Sequence, residues 1–430
     1  MCSQFLRNFT GWQERCPPEL PSWRSRNCSC HPGQRHRHRR HHPAPGPATQ
    51  GRRPQRNRPH AAAPNPPPAI APKFPSPSAD DLAVLMYTSG TSGLPKGVML
   101  TYGNLQSDVD ACIVHANLQR QYTFIGVIPL FHAFGMTAMM LAPVQLGAPI
   151  VYMSRFSPMG ALQALRKNPI AVMFGVPSMY AALLRMTSAQ PEDFQHMFAA
   201  LSGGEPLPAA LRDGWKQRFG QPLYEGYGLT ETSPVISLNT PVMHRPGSVG
   251  RTVPGVQVRV VDDNGNPLPP DQIGEIWLKG PMIMKGYYNL PQETANALTA
   301  DGFFKTGDLG KVDADGFLYI TGRKKDLVIV AGEKVSPREV EEVLSHHPAI
   351  AEAAVIGKKD ASRGEVVAAF VVARPDATVR PDEVRAFCRD QGLAQHKIPR
   401  EIVVLPDLPR SPTGKVLKRI LIEQANGGPK

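Results

Sequence analysis

The sequence predicts an α/β protein: a large N-terminal domain of α/β sheets with a β-rich subdomain, followed by a small α+β domain. Up to about residue 240, short apolar runs ending in glycine or proline alternate with helical segments, as in a sheet covered by helices on its faces. Residues 240–321 change to alternating strands with an Asn-Gly turn, typical of antiparallel pairs. Beyond residue 321 a separate pattern of strands and helices is long enough for a small domain. The predicted domains are therefore 80–321 and 322–430.

The first 79 residues are predicted to be a disordered leader. Residues 31–78 are rich in Pro, Arg and His, and they show neither strand nor helix periodicity. Residues 1–80 hold thirteen Lys and Arg against three Asp and Glu, which accounts for most of the net charge of +12. Such a tail could contact RNA or a membrane surface peripherally. A solvated or mistranslated leader is the favoured alternative, and the near-neutral remainder gives no support for specific nucleic-acid binding.

Composition predicts a soluble, cytoplasmic protein. Hydrophobic residues make up 41% of the chain and charged residues 20%. No apolar run reaches the roughly 18 residues of a membrane helix, and the N-terminus has no apolar core of signal-peptide type. The sequence "CSCH" at 28–31 lacks a second spaced ligand pair, so incidental thiols are favoured over a zinc site.

The strands and helices of the large domain are predicted from short segments. "LAVLMYTSG" (82–90) is an apolar run that breaks into glycine, which indicates a buried strand followed by a loop. The same reasoning predicts strands within 123–135, 148–154 and 170–178, a helix over 158–168, and antiparallel strands within 256–269 and 274–280.

The small domain is predicted to begin with a hairpin in "DLVIVAGEKV" (326–335). Ser336 then fits a helix N-cap, Pro337 the first helical position and Glu339 the acid of a capping box. The helix is predicted to carry an apolar stripe at Val340, Val343, Leu344 and His347, and to end at Pro348. Strands over 351–357 and 365–373, a helix from 381 and a strand over 401–406 follow.

The segment "YTSGTSGLPKGVML" (87–100) indicates a phosphate-binding loop. Glycines allow close backbone approach to a ligand, hydroxyls add donors, and Lys96 adds a compact positive charge. A Walker loop is the obvious rival, but Pro95 stands where its second glycine belongs and Gly97 replaces its magnesium-binding Ser or Thr. The loop residues predicted to bind phosphate are Thr88, Ser89, Gly90, Thr91, Ser92 and Gly93.

This loop resembles the phosphate loop of the adenylate-forming (AMP-binding) superfamily, which includes acyl-CoA synthetases, luciferases and peptide-synthetase adenylation domains. The resemblance implies that a carboxylate attacks the α-phosphorus of ATP to give acyl-adenylate and pyrophosphate, and that a thiol then displaces AMP. Further motifs follow in the family's order: "SGGEPLP" (202–208), "GYGLTETSP" (226–234), "KTGDLG" (305–310), "GRKKDLVIVAGEKVSPREVE" (322–341) and "PRSPTGK" (409–415).

The resemblance assigns the phosphate end of ATP to three side chains. Lys96 would steady the β- and γ-phosphates together with the loop amides. Glu231 resembles the family's Mg²⁺ ligand, a hard oxygen donor suited to that cation. Thr230 would bond a phosphate oxygen. The alternative for Glu231 is an exposed loop acid.

The nucleoside end is assigned in the same way. The backbone at Gly203, Gly204 and Glu205 resembles the family's adenine-edge segment. Tyr227, followed by Gly228, resembles the ring that stacks on adenine, although a core tyrosine is the competing interpretation. Asp308 resembles the ribose-binding acid with Arg323 as a second contact, and the alternative is a turn aspartate.

Three residues of the small domain complete the resemblance. Lys415 resembles the lysine that bridges the substrate carboxylate and the α-phosphate. Lys325 occupies the family's hinge position, about which the small domain would move between two poses. That movement would bring the loop that contains Gly332 towards the thiol tunnel.

The acyl pocket is predicted to form from 131–140, 174–180 and the glycine segments, including Phe131, His132 and Gly175. A packed core histidine is the alternative for His132. These segments lack a charged partner for an α-ammonium group, which favours a medium- or long-chain fatty acid over an amino acid. Aryl acids remain open, and the thiol acceptor is CoA or an acyl carrier protein.

The resemblance also sets an expectation for the N-terminus. Family members place a folded subdomain ahead of the phosphate loop, whereas 86 residues precede Tyr87 here. The large domain is therefore predicted to be N-terminally incomplete, and the leader is hypothesised to be a gene-model artefact. The predicted function is a fatty acid–CoA ligase; the alternatives are an acyl-AMP ligase that loads a carrier protein and an inactive nucleotide-binding remnant.

Overall fold

The computed structural model describes residues 76–89, 95–411 and 414–427. Nearly all of the predicted leader, and the loop residues Gly90, Thr91, Ser92 and Gly93, lie outside the described residues. From Pro77 onward the described residues group into one compact unit. The predicted domain boundary at 321/322 is not tested by this grouping and stays a prediction.

Nineteen strands occur within the described residues. In chain order they are β1 (Leu82–Ser89), β2 (Pro95–Thr101), β3 (Thr123–Gly126), β4 (Ile150–Tyr152), β5 (Ile170–Gly175), β6 (Ala199–Ser202), β7 (Leu223–Gly228), β8 (Val235–Leu238), β9 (Arg251–Thr252), β10 (Gln257–Val261), β11 (Gly274–Lys279), β12 (Gly286–Tyr287), β13 (Phe304–Val312), β14 (Leu318–Arg323), β15 (Val328–Val330), β16 (Glu333–Val335), β17 (Ile350–Asp360), β18 (Gly364–Ala373) and β19 (Glu401–Leu405).

The α-helices of the same part of the chain flank these strands. They are α1 (Tyr102–His115), α2 (Ala133–Met136), α3 (Ala142–Leu146), α4 (Pro158–Lys167), α5 (Pro177–Arg185), α6 (Ala209–Phe219), α7 (Pro291–Ala297), α8 (Pro337–Ser345), α9 (Pro381–Asp390) and α10 (Lys418–Ala425). No helix in the described ranges combines the length and the apolar character needed to cross a membrane.

A seven-stranded sheet in the order β4-β3-β5-β6-β7-β8-β9 forms the centre of the large domain. Its first five strands are parallel, and β8 and β9 continue it antiparallel. Because β5 and β6 are buried along their whole length, they appear in the sequence as continuous apolar runs. The predicted strands at 123–135, 148–154 and 170–178 and the helix at 158–168 are confirmed.

Two smaller sheets complete the large domain. Strands β1, β2 and β12 form one of them, and β10, β11, β13 and β14 form the other. The predicted antiparallel pairing of residues 256–269 with 274–280 is confirmed, with Val261 opposite Glu275. The Asn-Gly turn is also present, since the amide of Gly265 donates to the carbonyl of Asp262 at 3.1 Å.

The small domain contains a five-stranded sheet in the order β16-β15-β18-β17, with β19 added in parallel to β18. The predicted hairpin is confirmed as β15 and β16. Its turn residues Ala331 and Gly332 have φ of 51° and 90°, the left-handed conformation of a two-residue hairpin turn. The predicted strands at 351–357, 365–373 and 401–406 and the helix from 381 are also confirmed.

The predicted capping box at the start of α8 is wrong. Ser336 does stand at the N-cap, but its hydroxyl donates to the carbonyl of Thr321 at 2.6 Å instead of accepting from the helix. Glu339 pairs instead with Lys397 at 2.7 Å. The helix ends at Ser345 rather than at Pro348. Both side chains found partners in distant parts of the chain, which a local pattern does not reveal.

Candidate active site

The phosphate end of the site is organised around Tyr287. Strand β12 pairs with β2 so that Tyr287 lies opposite Val98. The Tyr287 hydroxyl donates to Oε1 of Glu231 at 3.0 Å, and Nζ of Lys96 lies 5.0 Å from the centre of its ring. Burial raises the pKa of Tyr287, and the negative charge of Glu231 adds to this effect, so the hydroxyl remains a donor. A single buried tyrosine therefore connects the predicted phosphate lysine with the predicted magnesium ligand.

The glycine-rich loop connects β1 to β2 beside this tyrosine. Thr88 lies opposite Lys96 in the antiparallel pair, and Ser89 lies opposite Pro95. The intervening loop residues lie outside the described residues. The hairpin therefore places both ends of the loop next to Lys96, as a phosphate-binding role requires.

Glu231 and Thr230 belong to a short 3₁₀ turn after β7. The turn is fixed by the Thr232 hydroxyl, which accepts from the amide of Leu229 at 3.0 Å. Gly228 is required here, because a Cβ at that position would lie 1.7 Å from the carbonyl oxygen of Pro234. The backbone is thus specified on both sides of Glu231, so its carboxylate is held in place.

The candidate ribose acid is buried and forms an ion pair with a partly exposed arginine. Asp308 and Arg323 are direct partners across β13 and β14, and Oδ1 of Asp308 lies 2.7 Å from Nε of Arg323. Asp308 is 2% exposed. Its other oxygen accepts from the Tyr227 hydroxyl at 2.6 Å. The predicted alternative of a turn aspartate is wrong, since Asp308 lies within a strand and is charge-paired.

Tyr227 was predicted to be either the ring that stacks on adenine or a core tyrosine, and the structure supports a partly buried ring. Its ring packs, partly buried, against the core of the β-rich subdomain. Its pKa is raised by burial and further by the adjacent Asp308, so the hydroxyl stays protonated and donates. The adenine-stacking role of its ring stays a prediction.

The glycine segments that were predicted to surround the adenine and the acyl group lie together. The amide of Gly203 donates to the carbonyl of Gly175 at 3.1 Å. A Cβ on Gly203 would lie 3.3 Å from the ring of Phe134, which in turn packs edge-on against Phe174 at 5.8 Å. Gly204 adopts φ of 81°, which favours glycine. The ends of β5 and β6 therefore meet the segment at 131–140, as the predicted pocket requires.

His132 and Phe131 lie at the edge of this region. The imidazole caps α2, with Nδ1 accepting from the amide of Phe134 at 3.2 Å. Burial lowers the pKa of His132, and the positive charge of Lys415 lowers it further. Phe131 is 71% exposed. His132 thus lies near the predicted catalytic lysine, while the Phe131 side chain faces solvent.

Lys415 lies against the large domain. Solvent still reaches its side chain. Surrounding protein nevertheless removes part of its hydration, which lowers the pKa of Lys415, and the charge of Arg323 lowers it further. Glu205 and Asp308 oppose this effect, and Lys325 adds to it weakly. The lysine therefore lies within electrostatic range of the nucleotide residues assigned from the sequence.

The two remaining predicted positions are Lys325 and Gly332. Lys325 is an exposed residue of the 3₁₀ turn after β14. Gly332 lies at the tip of the first hairpin of the small domain, where it lines a surface cavity of about 720 Å³ together with Ile329 and Arg363. The hinge and thiol-tunnel roles stay predictions.

Two groups of residues were missed in the sequence. Tyr287 lies in "MKGYYN", where an aromatic pair after glycine was the available signal. The contacts between the domains were also missed: Arg338 lies 3.7 Å from Glu225, and Glu342 accepts from the amide of Ala209 at 3.1 Å. A charged face on α8 was visible in the sequence, but nothing local indicated its partners.

Comparison with known proteins agrees with this arrangement. The family model for AMP-binding enzymes matches residues 29–288, and that for their C-terminal domain matches residues 339–415. The chain therefore belongs to the AMP-binding enzyme family. It has the family's organisation, an α/β large domain followed by a small C-terminal domain.

Individual relatives give the same result. The chain is 39% identical over 348 residues to a long-chain-fatty-acid–CoA ligase of Bacillus subtilis, covering 80% of this chain and 62% of that protein. It is 38% identical to a 2-succinylbenzoate–CoA ligase of Bacillus velezensis, covering 81% and 70% respectively. The crystal structure of ATP-bound MatB from Rhodopseudomonas palustris superimposes with a TM-score of 0.78 at 36% identity, covering 82% of this chain and 70% of that one. The chain thus spans about 62% of the length of the long-chain ligase that it matches.

Proposed function

We propose that this protein activates a fatty acid with ATP to form an acyl-adenylate and pyrophosphate, and then transfers the acyl group to CoA with release of AMP. The observation that carries the proposal is the position of Lys415, which comes from the small domain and lies within electrostatic range of the Asp308–Arg323 pair. This arrangement suits the first step, in which one anion must approach another. Family membership and the names of the similar fatty-acid–CoA ligases support the same activity.

The phosphate chain would be bound between Lys96 and Glu231. Mg²⁺ is usually held by one or two carboxylates together with phosphate oxygens, and the single carboxylate of Glu231 fits that donor set. The bound cation would neutralise charge on the phosphates. In the part of the chain that the structure describes, no three His, Cys, Asp or Glu side chains are grouped to hold a metal by themselves. The site therefore needs the nucleotide as well as Glu231 to complete a coordination sphere.

Lys415 would act on the reacting atoms. The acid's carboxylate oxygen forms a bond to the α-phosphorus while the bond from that phosphorus to the bridging oxygen breaks, and pyrophosphate leaves. An ammonium between the two anions reduces their repulsion and stabilises charge on the α-phosphate. The ion pair with Asp308 holds the Arg323 guanidinium in place. Arg323 therefore adds positive charge to the site from a fixed position.

The second step requires a thiol in place of the lysine. A movement of the small domain about Lys325 would withdraw Lys415 and bring the loop at Gly332 towards the adenylate. CoA is the acceptor that we propose, because the similar curated relatives are named as CoA ligases. The predicted cytoplasmic location is part of the same proposal.

The acid is proposed to be a medium- or long-chain fatty acid. The segments that meet at Gly175 and Gly203 bring apolar and aromatic side chains together, among them Phe134 and Phe174. An apolar pocket of this kind suits an alkyl chain and offers no counter-charge to a polar substrate. The names of two similar relatives, a long-chain and a medium-chain fatty-acid–CoA ligase, support the same class.

The proposal is tested with a panel of acids. The protein is incubated with ATP, Mg²⁺ and fatty, aryl or amino acids, and pyrophosphate and AMP are measured with and without CoA. We expect pyrophosphate with fatty acids and AMP release that depends on CoA. Pyrophosphate exchange without CoA-dependent AMP release would indicate a carrier-protein acceptor. Binding of ATP without exchange for any acid would indicate an inactive remnant.

The pH dependence of the first step should reflect Lys415. The charged form is the active one, and the pKa of Lys415 lies below the ordinary lysine value because surrounding protein removes part of its hydration and because of the charge of Arg323. As pH rises, the charge is therefore lost earlier than on an exposed lysine. We expect kcat/KM for pyrophosphate release, which reports groups of the free enzyme, to decline at alkaline pH below about 10.4. The variant Lys415→Arg should move this decline to higher pH, and an unchanged profile would contradict the assignment.

A further inference from the structure

The loop that carries Lys415 is held by contacts that the mechanism above does not use. We call the described residues 410–411 and 414–416 the lysine loop. Arg410 and Val416 pair as an antiparallel bridge, and the amide of Ser411 donates to the carbonyl of Lys415 at 2.8 Å. The two described sides of the loop are thus paired with each other, and their placement decides where the Lys415 ammonium can reach.

One set of contacts lies entirely within the small domain. The Arg410 guanidinium donates to the carbonyl of Gly414 at 2.9 Å and pairs with the carboxylate of Glu352 on β17. Because these three residues belong to the same domain, the contacts move with the lysine loop. They fix its internal shape, while Glu352 also lies 3.8 Å from Arg185 of the large domain in a solvent-exposed ion pair.

A different contact crosses to the large domain. Oε1 of Glu205 accepts a hydrogen bond from the amide of Val416 at 2.8 Å. Glu205 is half-buried and follows Gly204, whose φ of 81° sets the direction of the chain. On the opposite side of the loop, a Cβ on Gly414 would lie 3.2 Å from Oγ of Ser178. The lysine loop is therefore bounded by two parts of the large domain, with Glu205 making the polar contact.

We propose that Glu205 is a positioning residue for the first half-reaction: its carboxylate binds the backbone next to Lys415 and fixes the lysine loop in the pose that delivers the ammonium to the α-phosphate. The proposal rests on the proposed function. It gives the Glu205 side chain a role separate from that of its backbone, which belongs to the segment assigned to the adenine edge.

The charges around Lys415 provide an independent measure of this contact. The groups that face the lysine are Arg323, Glu205, Asp308, Lys325 and His132. Glu205 is the first of the groups that raise the pKa of Lys415 and so oppose the effects of burial and Arg323. Loss of this carboxylate should therefore move the alkaline decline of the first half-reaction to lower pH.

Two substitutions separate the hydrogen bond from the charge. Glu205→Ala removes both, whereas Glu205→Gln keeps a carbonyl oxygen that can accept from the amide of Val416. At pH 7.5, we expect Glu205→Ala to lower kcat for pyrophosphate release about ten- to a hundredfold, the range for losing a hydrogen bond to a charged group. Glu205→Gln should stay within about threefold of the wild type. Both variants should shift the alkaline decline to lower pH.

The readouts that exclude a general structural defect are the second half-reaction and KM. Thioester formation from supplied acyl-adenylate and CoA should be unchanged in both variants, because the lysine loop is withdrawn in that step. KM for ATP should also be unchanged. Glu192→Ala, which removes an exposed carboxylate of the large domain, is the matched control and should behave as wild type in every assay.

The outcomes are distinguishable from failure of the proposed function. If the wild type releases no pyrophosphate with ATP and any acid, the proposed function fails and the positioning role with it. If the wild type is active, equal loss of both half-reactions in Glu205→Ala, or no loss at all, overturns the positioning role. If the alanine variant fails to fold, the pH profile of Glu205→Gln becomes the test of the proposal. An alkaline decline of the first half-reaction at the same pH as in the wild type would overturn it.

Discussion

Replacement of Lys415 with alanine is expected to lower acid-dependent pyrophosphate release by about a thousandfold, the effect typical of removing one preorganised charge from a developing anion. The charges of Arg323 and Asp308 act on this side chain, so it lies near the nucleotide residues, where we propose that the α-phosphate meets the acid. Thioester formation from supplied acyl-adenylate should be retained, because that step takes place after the lysine has withdrawn. Both half-reactions are measured separately, by pyrophosphate release and by acyl-CoA formation.

An exposed basic residue of the small domain gives the matched control. Lys359 lines the same cavity as Gly332, so Arg374, an exposed basic residue directly after β18, is used instead. Arg374→Ala should leave both half-reactions within about twofold of the wild type, as expected for an exposed side chain. Equal loss of both steps in Lys415→Ala would show that the lysine stabilises the domain rather than the transition state.

The parts of the fold that were predicted from the sequence are those with local signals. Strand β5 appears as an unbroken apolar run because both of its faces are covered, and the Ala331–Gly332 turn appears as glycine at a left-handed position. Periodicity and turn chemistry depend on neighbouring residues, so they can be recognised in the sequence without the tertiary structure. Several motif residues were placed in the same way, such as Glu231 in the turn after β7.

What the sequence did not reveal depends on contacts between distant residues. Tyr287 and Glu231 are 56 positions apart, and Val416 and Glu205 are 211 apart. Ser336 has the residue type of a helix cap, yet its hydroxyl donates to the carbonyl of Thr321 in β14 and makes no cap bond to the helix. When a side chain has two possible hydrogen-bond partners, the tertiary structure decides which of them it binds, and its local preference does not.

The Asp308–Arg323 pair lies between these two cases. The residues are only 15 positions apart, and an antiparallel hairpin could have been predicted to join their strands. Their exact register, however, depends on an irregularity in the pairing near Leu309 and Gly310. The sequence therefore indicated two functional residues, and the structure was needed to show that they are one ion pair.

Replacement of Asp308 with alanine is the second substitution with a large expected effect, because it acts on both folding and ATP binding. It leaves the Tyr227 hydroxyl without its acceptor, which costs about 1–3 kcal/mol of unfolding free energy for a buried polar group. The side chain of Arg323 is 40% exposed, so solvent screens much of its loss. We expect urea unfolding to show this decrease.

ATP binding should fall by more than the loss of folding stability explains. If Asp308 receives the ribose hydroxyls, removal of two charge-assisted hydrogen bonds should weaken ATP binding about a hundredfold in calorimetry, measured on the folded fraction. Tyr227→Phe is the matched control, since it removes the same tyrosine–carboxylate bond but leaves Asp308 in place. That variant should lose stability with little change in ATP affinity. Equal weakening of ATP binding in both variants, or none in Asp308→Ala, would contradict the ribose role, because only a carboxylate that contacts the nucleotide makes the two differ.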